Sequence, residues 1–222
     1  MAEAVTLTTN VRPSIWNGGR SPFKVSWGKL MMWYFLVGDS FSFASFLITY
    51  GALRFSYESW PLPTKVFSAM PFLEGIEVPL GFVSIMTFTL IMSSVTMVLA
   101  VHYGNHEGNR KKVAKWLLYT IIGGIIFLGS QAWEWTHLIT EGMNMHGNPF
   151  GASAFGWLFF CITGFHGFHV LTGVCINTLV LTKVVNGEYD RKGSYEMIEK
   201  IGLYWHFVDL VWVFVFMAFY LL

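Results

Sequence analysis

Five side chains that could bind a metal ion, a haem or a proton lie inside long apolar stretches of this sequence. They are Asp39, His166, His169, His206 and Asp209. His166 and His169 are three residues apart, as are His206 and Asp209, and residues with this spacing share one face of a helix. Such groups could ligate a metal or a haem, relay protons, or hydrogen-bond between helices and fix their packing. The residue types alone leave all of these chemistries open.

Carboxylates inside a membrane have to face other protein groups. Gln131 and Glu134 repeat the three-residue spacing in another apolar stretch. A carboxylate at mid-span costs about 2.5–3.5 kcal/mol on insertion scales, and more if it stays unpaired. Asp39, Glu134 and Asp209 are therefore predicted to face neighbouring helices rather than lipid.

The elements that carry these residues are membrane spans. Of the 222 residues, 54% are hydrophobic and 12% are charged, whereas soluble domains carry about a quarter charged residues. A helix needs about 20 apolar residues to cross the hydrocarbon core. Five stretches meet this length, at about residues 29–53, 79–103, 113–139, 154–183 and 198–222. The sequence predicts an all-α polytopic bundle of five transmembrane helices over residues 29–222, preceded by a polar N-terminal segment, residues 1–28.

Depth in the membrane allows some of the polar residues to meet. At about 1.5 Å per residue, Asp39 and Asp209 each lie roughly 15 Å inside the start of their spans. His166 and His169 fall near the middle of the fourth span, and His206 lies one turn from Asp209. A mid-membrane group of these residues is therefore geometrically possible, although the sequence does not show which helices are neighbours.

The first span has two contrasting faces. Phe43, Phe46 and Tyr50 continue the line that starts at Asp39. Another face carries the small residues Gly38, Ser42, Ser45 and Thr49. Because small residues let transmembrane helices approach closely, the sequence predicts packing along the small face, with Asp39 at its border with the aromatic face.

The positive charges predict the orientation of the bundle. If the N-terminus is cytoplasmic, the outer side carries only Arg54 and Lys65. The inner segments then carry twelve positive residues: Arg12, Arg20, Lys24, Lys29, Arg110, Lys111, Lys112, Lys115, Lys183, Arg191, Lys192 and Lys200. This bias has the sense of the positive-inside rule, and an odd number of spans places the C-terminus in the periplasm.

Several other classes of protein are disfavoured. A net charge of +1 offers no basic patch for nucleic acid. Cys161 and Cys175 lie in apolar segments, where thiols behave as small hydrophobes. The sequence has no GxxxxGK[ST], CxxC, CxxCH or HExxH motif, and its polar start does not resemble a secretory signal.

Two segments combine histidines with aromatic and small residues: FFCITGFHGFHVLTG at residues 159–173 and YWHFVDLVWVF at residues 204–214. Both segments resemble subunit III of cytochrome c oxidase. Three shorter stretches agree with the same family: EVPL at residues 77–80, EGNRK at residues 107–111 and QAWE at residues 131–134. The resemblance runs from about Lys29 to the end of the chain.

The resemblance implies a shortened form of the family fold. The full form has seven helices, and this chain resembles the last five, so a partner would supply the wall of the lipid cleft that the first two helices form. Asp39 stands where the family usually has a membrane-embedded Glu. In the family this carboxyl lies near bound phospholipid and faces subunit I.

The resemblance also implies a supporting role without a redox centre. It implies that this chain carries no catalytic residue and no metal site, that it holds phospholipid, and that haem a and copper lie in subunits I and II. It would support proton uptake and oxygen access in an aa3-type cytochrome c oxidase of a bacterial inner membrane. Interhelical hydrogen bonding then becomes the favoured interpretation of Gln131, Glu134, His166, His169, His206 and Asp209. Partners beyond subunits I and II would be a subunit IV and a supercomplex with a quinol:cytochrome c oxidoreductase.

Three alternatives accompany this hypothesis. The chain could serve a quinol oxidase as its subunit III or a nitric oxide reductase as an accessory subunit. It could be a stand-alone proton or ion transporter that uses Asp39, Glu134 and Asp209. It could also be a membrane cytochrome with His166, His169 and His206 as axial ligands.

Overall fold

The structure, a computed structural model, describes residues 23, 25–67, 80–144 and 147–221. Five helices in this part of the chain are long and apolar enough to cross a membrane. They are α1 (Trp27–Ser56), α3 (Gly81–His102), α4 (Arg110–Thr140), α5 (Ser153–Val185) and α7 (Glu196–Phe216). Two short helices, α2 (Pro63–Val66) and α6 (Glu188–Lys192), lie between them, and π-helical turns over Tyr103–Glu107 and Met217–Leu221 extend α3 and α7. The prediction of an all-α bundle with five spans is confirmed.

Two of the helices begin directly after a capping residue, before the apolar part of the span starts. Asn109 caps α4 by accepting the amide N–H of Lys112 at 3.3 Å, so the charged residues before 113 are already helical. Ser26 caps α1 in the same way through the amide of Lys29. The predicted start of the second span at residue 79 lies outside the described residues, as does most of the predicted segment 1–28.

Four of the long helices form a closed ring. In this ring α3 packs on α4, α4 on α5, α5 on α7, and α7 on α3. Helix α1 lies outside the ring and contacts only its α5 and α7 members extensively. The large side chains at the centre include Phe127, Trp205 and Trp212, all essentially fully buried. The bundle core is therefore the interior of the ring, and α1 is a peripheral helix.

Helix α1 packs through its aromatic face, so the prediction that it packs through its small residues is wrong for this bundle. Phe43 lies 4.9 Å from Phe165 and Tyr50 lies 4.3 Å from Phe219, measured between ring centroids. A side chain added at Gly38 would meet nothing within 4 Å. The aromatic rings fill the groove between α5 and α7, which leaves the small residues on the outer surface.

Charged residues join the helices at one end of the bundle. Lys29 at the start of α1 lies 2.6 Å from Glu199 near the start of α7. The Tyr195 hydroxyl donates to Asp190, and Arg110 lies 3.9 Å from the same carboxylate. Burial, followed by the hydrogen bond to Asp190 and its charge, raises the pKa of Tyr195 to about 12. These contacts place the starts of α1, α4 and α7 at the same end.

Candidate functional site

Asp39 and His169 form the polar contact between α1 and α5. The Asp39 Oδ2 atom lies 3.3 Å from His169 Nε2, and the two side chains are 10% and 9% exposed. Within the described residues, Asp39 Oδ2 is buried and has no hydrogen bond of ordinary geometry, so its contact with His169 is a close approach of two polar atoms. The Phe43 ring, whose centroid lies 5.4 Å from that of His169, covers the pair on the α1 side. Of the mid-membrane group that the sequence allows, the structure brings Asp39 and His169 together.

The other nitrogen of His169 fixes how protons are distributed in this pair. His169 Nδ1 lies 2.8 Å from the Phe165 carbonyl oxygen. Because a carbonyl can only accept, Nδ1 carries a hydrogen and donates it. A neutral ring in this tautomer would present a lone pair at Nε2 to a carboxylate, and two acceptors repel. A hydrogen bond between Nε2 and Asp39 therefore requires a proton on one of these two atoms.

His166 joins α5 to α7 rather than to α1. Its Nε2–H donates to the Val208 carbonyl at 3.1 Å, and the residue is fully buried. The ring packs between Phe127, at a centroid distance of 5.6 Å, and Trp212, at 4.9 Å. His166 and His169 share one helix but bond to different neighbouring helices.

His206 and Asp209 lie on the face of α7 that meets α3. The Ser94 hydroxyl of α3 lies 2.6 Å from His206 Nδ1, and the Asp209 carboxyl lies near the same hydroxyl, with its buried Oδ1 making no hydrogen bond to the described residues. Both α7 residues are half-buried. The three-residue spacing of His206 and Asp209 thus places both beside a single serine of the neighbouring helix.

Two hydrogen bonds from tryptophans of α7 to hydroxyls of α3 were not predicted from the sequence. Trp205 Nε1 donates to Ser93 Oγ at 3.1 Å, and Trp212 Nε1 donates to Thr87 Oγ1 at 2.9 Å. The two tryptophans are seven residues apart on α7, and their partners Thr87 and Ser93 are six residues apart on α3. Each spacing is close to two helical turns.

Gln131 and Glu134 of α4 meet the C-terminal end of the chain. The Tyr220 hydroxyl donates to Glu134 Oε2 at 3.0 Å, and the Gln131 amide lies 3.4 Å from the same oxygen. Both α4 residues are 5% exposed. This contact fastens the π-helical turn after α7 to α4.

The arrangement is a set of separate interhelical contacts. Each contact joins a different pair of elements. Asp39 joins α1 to α5, His166 joins α5 to α7, His206 joins α7 to α3, and Glu134 joins α4 to the turn after α7. Over residues 25–67, 80–144 and 147–221, no three His, Cys, Asp or Glu side chains converge in a way that could hold a metal ion. What these side chains can do chemically is donate and accept hydrogen bonds across helix boundaries inside the span.

This fold and these contacts define a multi-pass membrane protein with a ring of four helices, a peripheral fifth helix and polar contacts between helices. The chain belongs to the cytochrome c oxidase subunit III family, whose model matches residues 12–222. It is therefore a subunit III of the haem–copper oxidase family, and this family associates with other oxidase subunits.

Its relatives include subunits of oxidases with two different names. The chain is 32% identical over 197 residues to "Cytochrome c oxidase subunit 3" of Alkalihalophilus pseudofirmus, covering 87% of this chain and 85% of that protein. It is 30% identical over 195 residues to "Probable quinol oxidase subunit 3" of Staphylococcus saprophyticus, covering 87% of this chain and 88% of that protein. The Staphylococcus aureus (strain USA300) protein of the same name matches with the same identity and coverage.

Proposed function

We propose that this chain is the non-redox subunit III of an aa3-type cytochrome c oxidase, with haem a and copper held by subunits I and II. In this role it packs on subunit I and supports proton uptake and oxygen access. The observation that carries the proposal is that the acids and imidazoles inside the spans contact other helices, as Asp39 contacts His169 and Glu134 contacts Tyr220. Polar groups that contact neighbouring helices stabilise the bundle, which supports a structural role for this chain.

A groove beside the Asp39–His169 pair suits a phospholipid acyl chain. It has a volume of about 240 Å³ and lies among α1, α5 and α7. Its lining is mostly apolar and includes Phe35, Phe168 and Ile176, with Tyr204 and His169 at one side. An acyl chain in this groove would cover the apolar surface next to the carboxyl that the family places near lipid.

The charge distribution supports a cytoplasmic N-terminus in the inner membrane of a bacterium. Within the described part of the chain, only Arg54 and Lys65 lie at the far end of the bundle. The other nine Lys and Arg residues lie at the end where α1, α4 and α7 begin: Lys29, Arg110, Lys111, Lys112, Lys115, Lys183, Arg191, Lys192 and Lys200. Positive residues concentrate on the cytoplasmic side of membrane proteins.

A quinol oxidase is the second candidate complex. The observation that favours it is that the staphylococcal relatives are named quinol oxidase subunits. The alignment with the Staphylococcus saprophyticus protein covers 87% of this chain, as does the alignment with the cytochrome c oxidase relative. The electron donor is bound by other subunits, so the contacts of this chain serve both candidates equally.

Purification of the intact complex in mild detergent tests the proposal. We expect this chain to co-purify with haem-bearing subunit I and with a subunit II that contains a copper-binding Cys/His site. A subunit II without that site would favour the quinol oxidase. Purification of the chain alone, or a stoichiometric haem bound to the isolated chain, would contradict both candidates.

A further inference from the structure

Asn177 is a polar side chain inside the bundle that has no hydrogen-bond partner among the described residues. It lies on α5 and is fully buried, at 0% exposure. Neither its Oδ1 atom nor its Nδ2 atom is hydrogen-bonded within the described part of the chain. An amide offers two donor hydrogens and an accepting oxygen, and buried polar groups of folded proteins are paired with protein or with ordered water. Asn177 therefore requires a ligand that can donate and accept.

Two glycines locate Asn177 relative to the indole of Trp205. A Cβ at Gly173, one turn before Asn177 on α5, would lie 2.8 Å from this indole, and a Cβ at Gly124 of α4 would lie 2.7 Å from it. The indole therefore fills the space between α4 and α5 at this level. Because residues four apart share a helix face, Asn177 also faces the interior of the four-helix ring, one turn beyond Trp205.

Thr120 of α4 lies beyond Trp205 on the same side as Asn177. It is four residues before Gly124 and is also 0% exposed. Helix α4 begins at the end of the bundle where α5 ends, so one turn before Gly124 matches one turn after Gly173. The Asn177 amide and the Thr120 hydroxyl are therefore at a similar depth, but they are not hydrogen-bonded to each other.

The Thr120 hydroxyl can accept one further hydrogen bond. Its oxygen lies 2.8 Å from Thr96 Oγ1, 3.1 Å from the Trp116 carbonyl oxygen and 3.4 Å from the Ser93 carbonyl oxygen. Carbonyls only accept, so these contacts use the hydroxyl hydrogen and at most one of the two lone pairs. A water molecule can donate to the remaining lone pair while it accepts from the Asn177 amide, because water bridges polar groups that do not bond directly.

Water suits this position better than an ion does. The amide and the hydroxyls around it are neutral. On α7, the residue one turn before Trp205 is the apolar Ile201, which is 1% exposed. A buried ion needs an opposite charge or several ligands. These side chains therefore favour a small neutral molecule that donates and accepts hydrogen bonds.

We propose that Asn177 and Thr120 hold a buried water molecule that joins α5 to α4 beside the Trp205 indole. The water gives the amide its missing partners and links two helices that already pack on each other. The proposal does not depend on the proposed function, because both side chains belong to this chain.

Radiolytic labelling in water enriched in a heavy oxygen isotope tests this site. X-rays split water, including water held inside a protein, into hydroxyl radicals that oxidise the nearest side chains. The full chain in its complex is equilibrated and irradiated, and oxidised residues are quantified by mass spectrometry. Trp205 is the reporter, because it is 1% exposed and lies beside the site. Phe155 is the reference, because it is 0% exposed and lies among other aromatic rings.

We expect Trp205 to take up heavy oxygen several-fold faster than Phe155 in the wild type. Asn177→Leu should abolish this excess, because the larger apolar side chain fills the space and cannot hold water. Thr120→Val replaces only a hydroxyl by a methyl group, and it should also reduce the excess. This conservative variant keeps the comparison decisive if Asn177→Leu does not fold.

Thr178→Val is the matched control. Thr178 follows Asn177 in the sequence, but its hydroxyl donates to a carbonyl of its own helix at 2.8 Å. This variant should keep the wild-type labelling of Trp205. Labelling of Trp205 no faster than that of Phe155 in the wild type would overturn the proposal. Equal labelling of Trp205 in the wild type and in the Asn177 and Thr120 variants would overturn it as well.

Discussion

His169 Nε2 lies 3.3 Å from Asp39 Oδ2 while His169 Nδ1 donates to its own helix, so a hydrogen bond between α1 and α5 requires a proton on one of the two facing atoms. If that proton resides on the carboxyl, Asp39→Asn should preserve the contact, because the amide N–H can donate to Nε2. Asp39→Leu should lose it, at a cost of about 0.6–2 kcal/mol for an interhelical hydrogen bond. Unfolding of both variants in detergent measures the difference.

Equal destabilisation by Asp39→Asn and Asp39→Leu would identify an ion pair. If Asp39→Asn destabilises the chain as much as Asp39→Leu, the native contact is a carboxylate with an imidazolium, which the amide cannot replace. The same Asn variant also tests the transporter alternative. An ion flux through liposomes containing the isolated wild-type chain, abolished in Asp39→Asn, would contradict the scaffold role.

The sequence predicts which residues are polar inside the membrane, but not which helix each one meets. His166 and His169 share a face by spacing, and both are buried in the structure. They diverge because α5 packs on both α1 and α7, so residues one turn apart on α5 reach different neighbours. Helix neighbours depend on how the whole ring closes, and no local pattern encodes this closure.

The prediction for α1 fails for a related reason. Small residues permit close approach, but the groove between α5 and α7 is wide enough for the rings of Phe43 and Tyr50. The shape of the partner surface decided which face packs. The seven-residue spacing of Trp205 and Trp212 is visible in the sequence, but it becomes informative only when the structure shows their partners Ser93 and Thr87 on α3.

Close packing around Trp205 gives a stability prediction. A Cβ at Gly173 would lie 2.8 Å from the Trp205 ring, whereas a Cβ at Gly167 of the same helix would meet nothing within 4 Å. Gly173→Ala should therefore cost about 1–3 kcal/mol from overpacking. Gly167→Ala should be neutral or stabilising by up to about 1 kcal/mol, because alanine favours a helix over glycine.

Thermal unfolding in one detergent compares the two glycine variants. Combining Gly173→Ala with Trp205→Phe supplies an internal check, since a smaller ring relieves the overlap. The double variant should be less destabilised than the sum of the two single variants. Strict additivity would show that the ring and the glycine do not interact.

The charged end of the bundle has a predictable pH dependence. The pKa of Tyr195 is raised from 10.0 to about 12 by burial and by Asp190. Between these values the folded state holds a proton that the unfolded state releases, so the stability that Tyr195 contributes falls as pH rises. The advantage of the wild type over Tyr195→Phe should be constant below pH 10 and should shrink toward pH 12.

Unfolding midpoints across this pH range measure the Tyr195 effect. Tyr34→Phe controls for the loss of one phenol, since Tyr34 lies on the outer surface of α1 and is 65% exposed. An advantage of the wild type over Tyr195→Phe that stays flat up to pH 12 would show that Tyr195 is not held protonated by the fold.

The last prediction separates hydrogen bonding from cofactor ligation at His206 and Asp209. Both contact Ser94 of α3, so His206→Ala or Asp209→Ala should weaken the α3–α7 packing by about 0.6–2 kcal/mol and lower retention of this chain in the purified complex. His137→Ala is the matched control, because the charge contact of His137 in the described residues is with Glu141, just after the end of its own helix, at 3.7 Å. The haem spectrum, normalised to subunit I, should be the same in all three variants. If His206→Ala removed a haem signal while the chain stayed bound, the imidazole would be an axial ligand, and the membrane cytochrome alternative would replace the scaffold role.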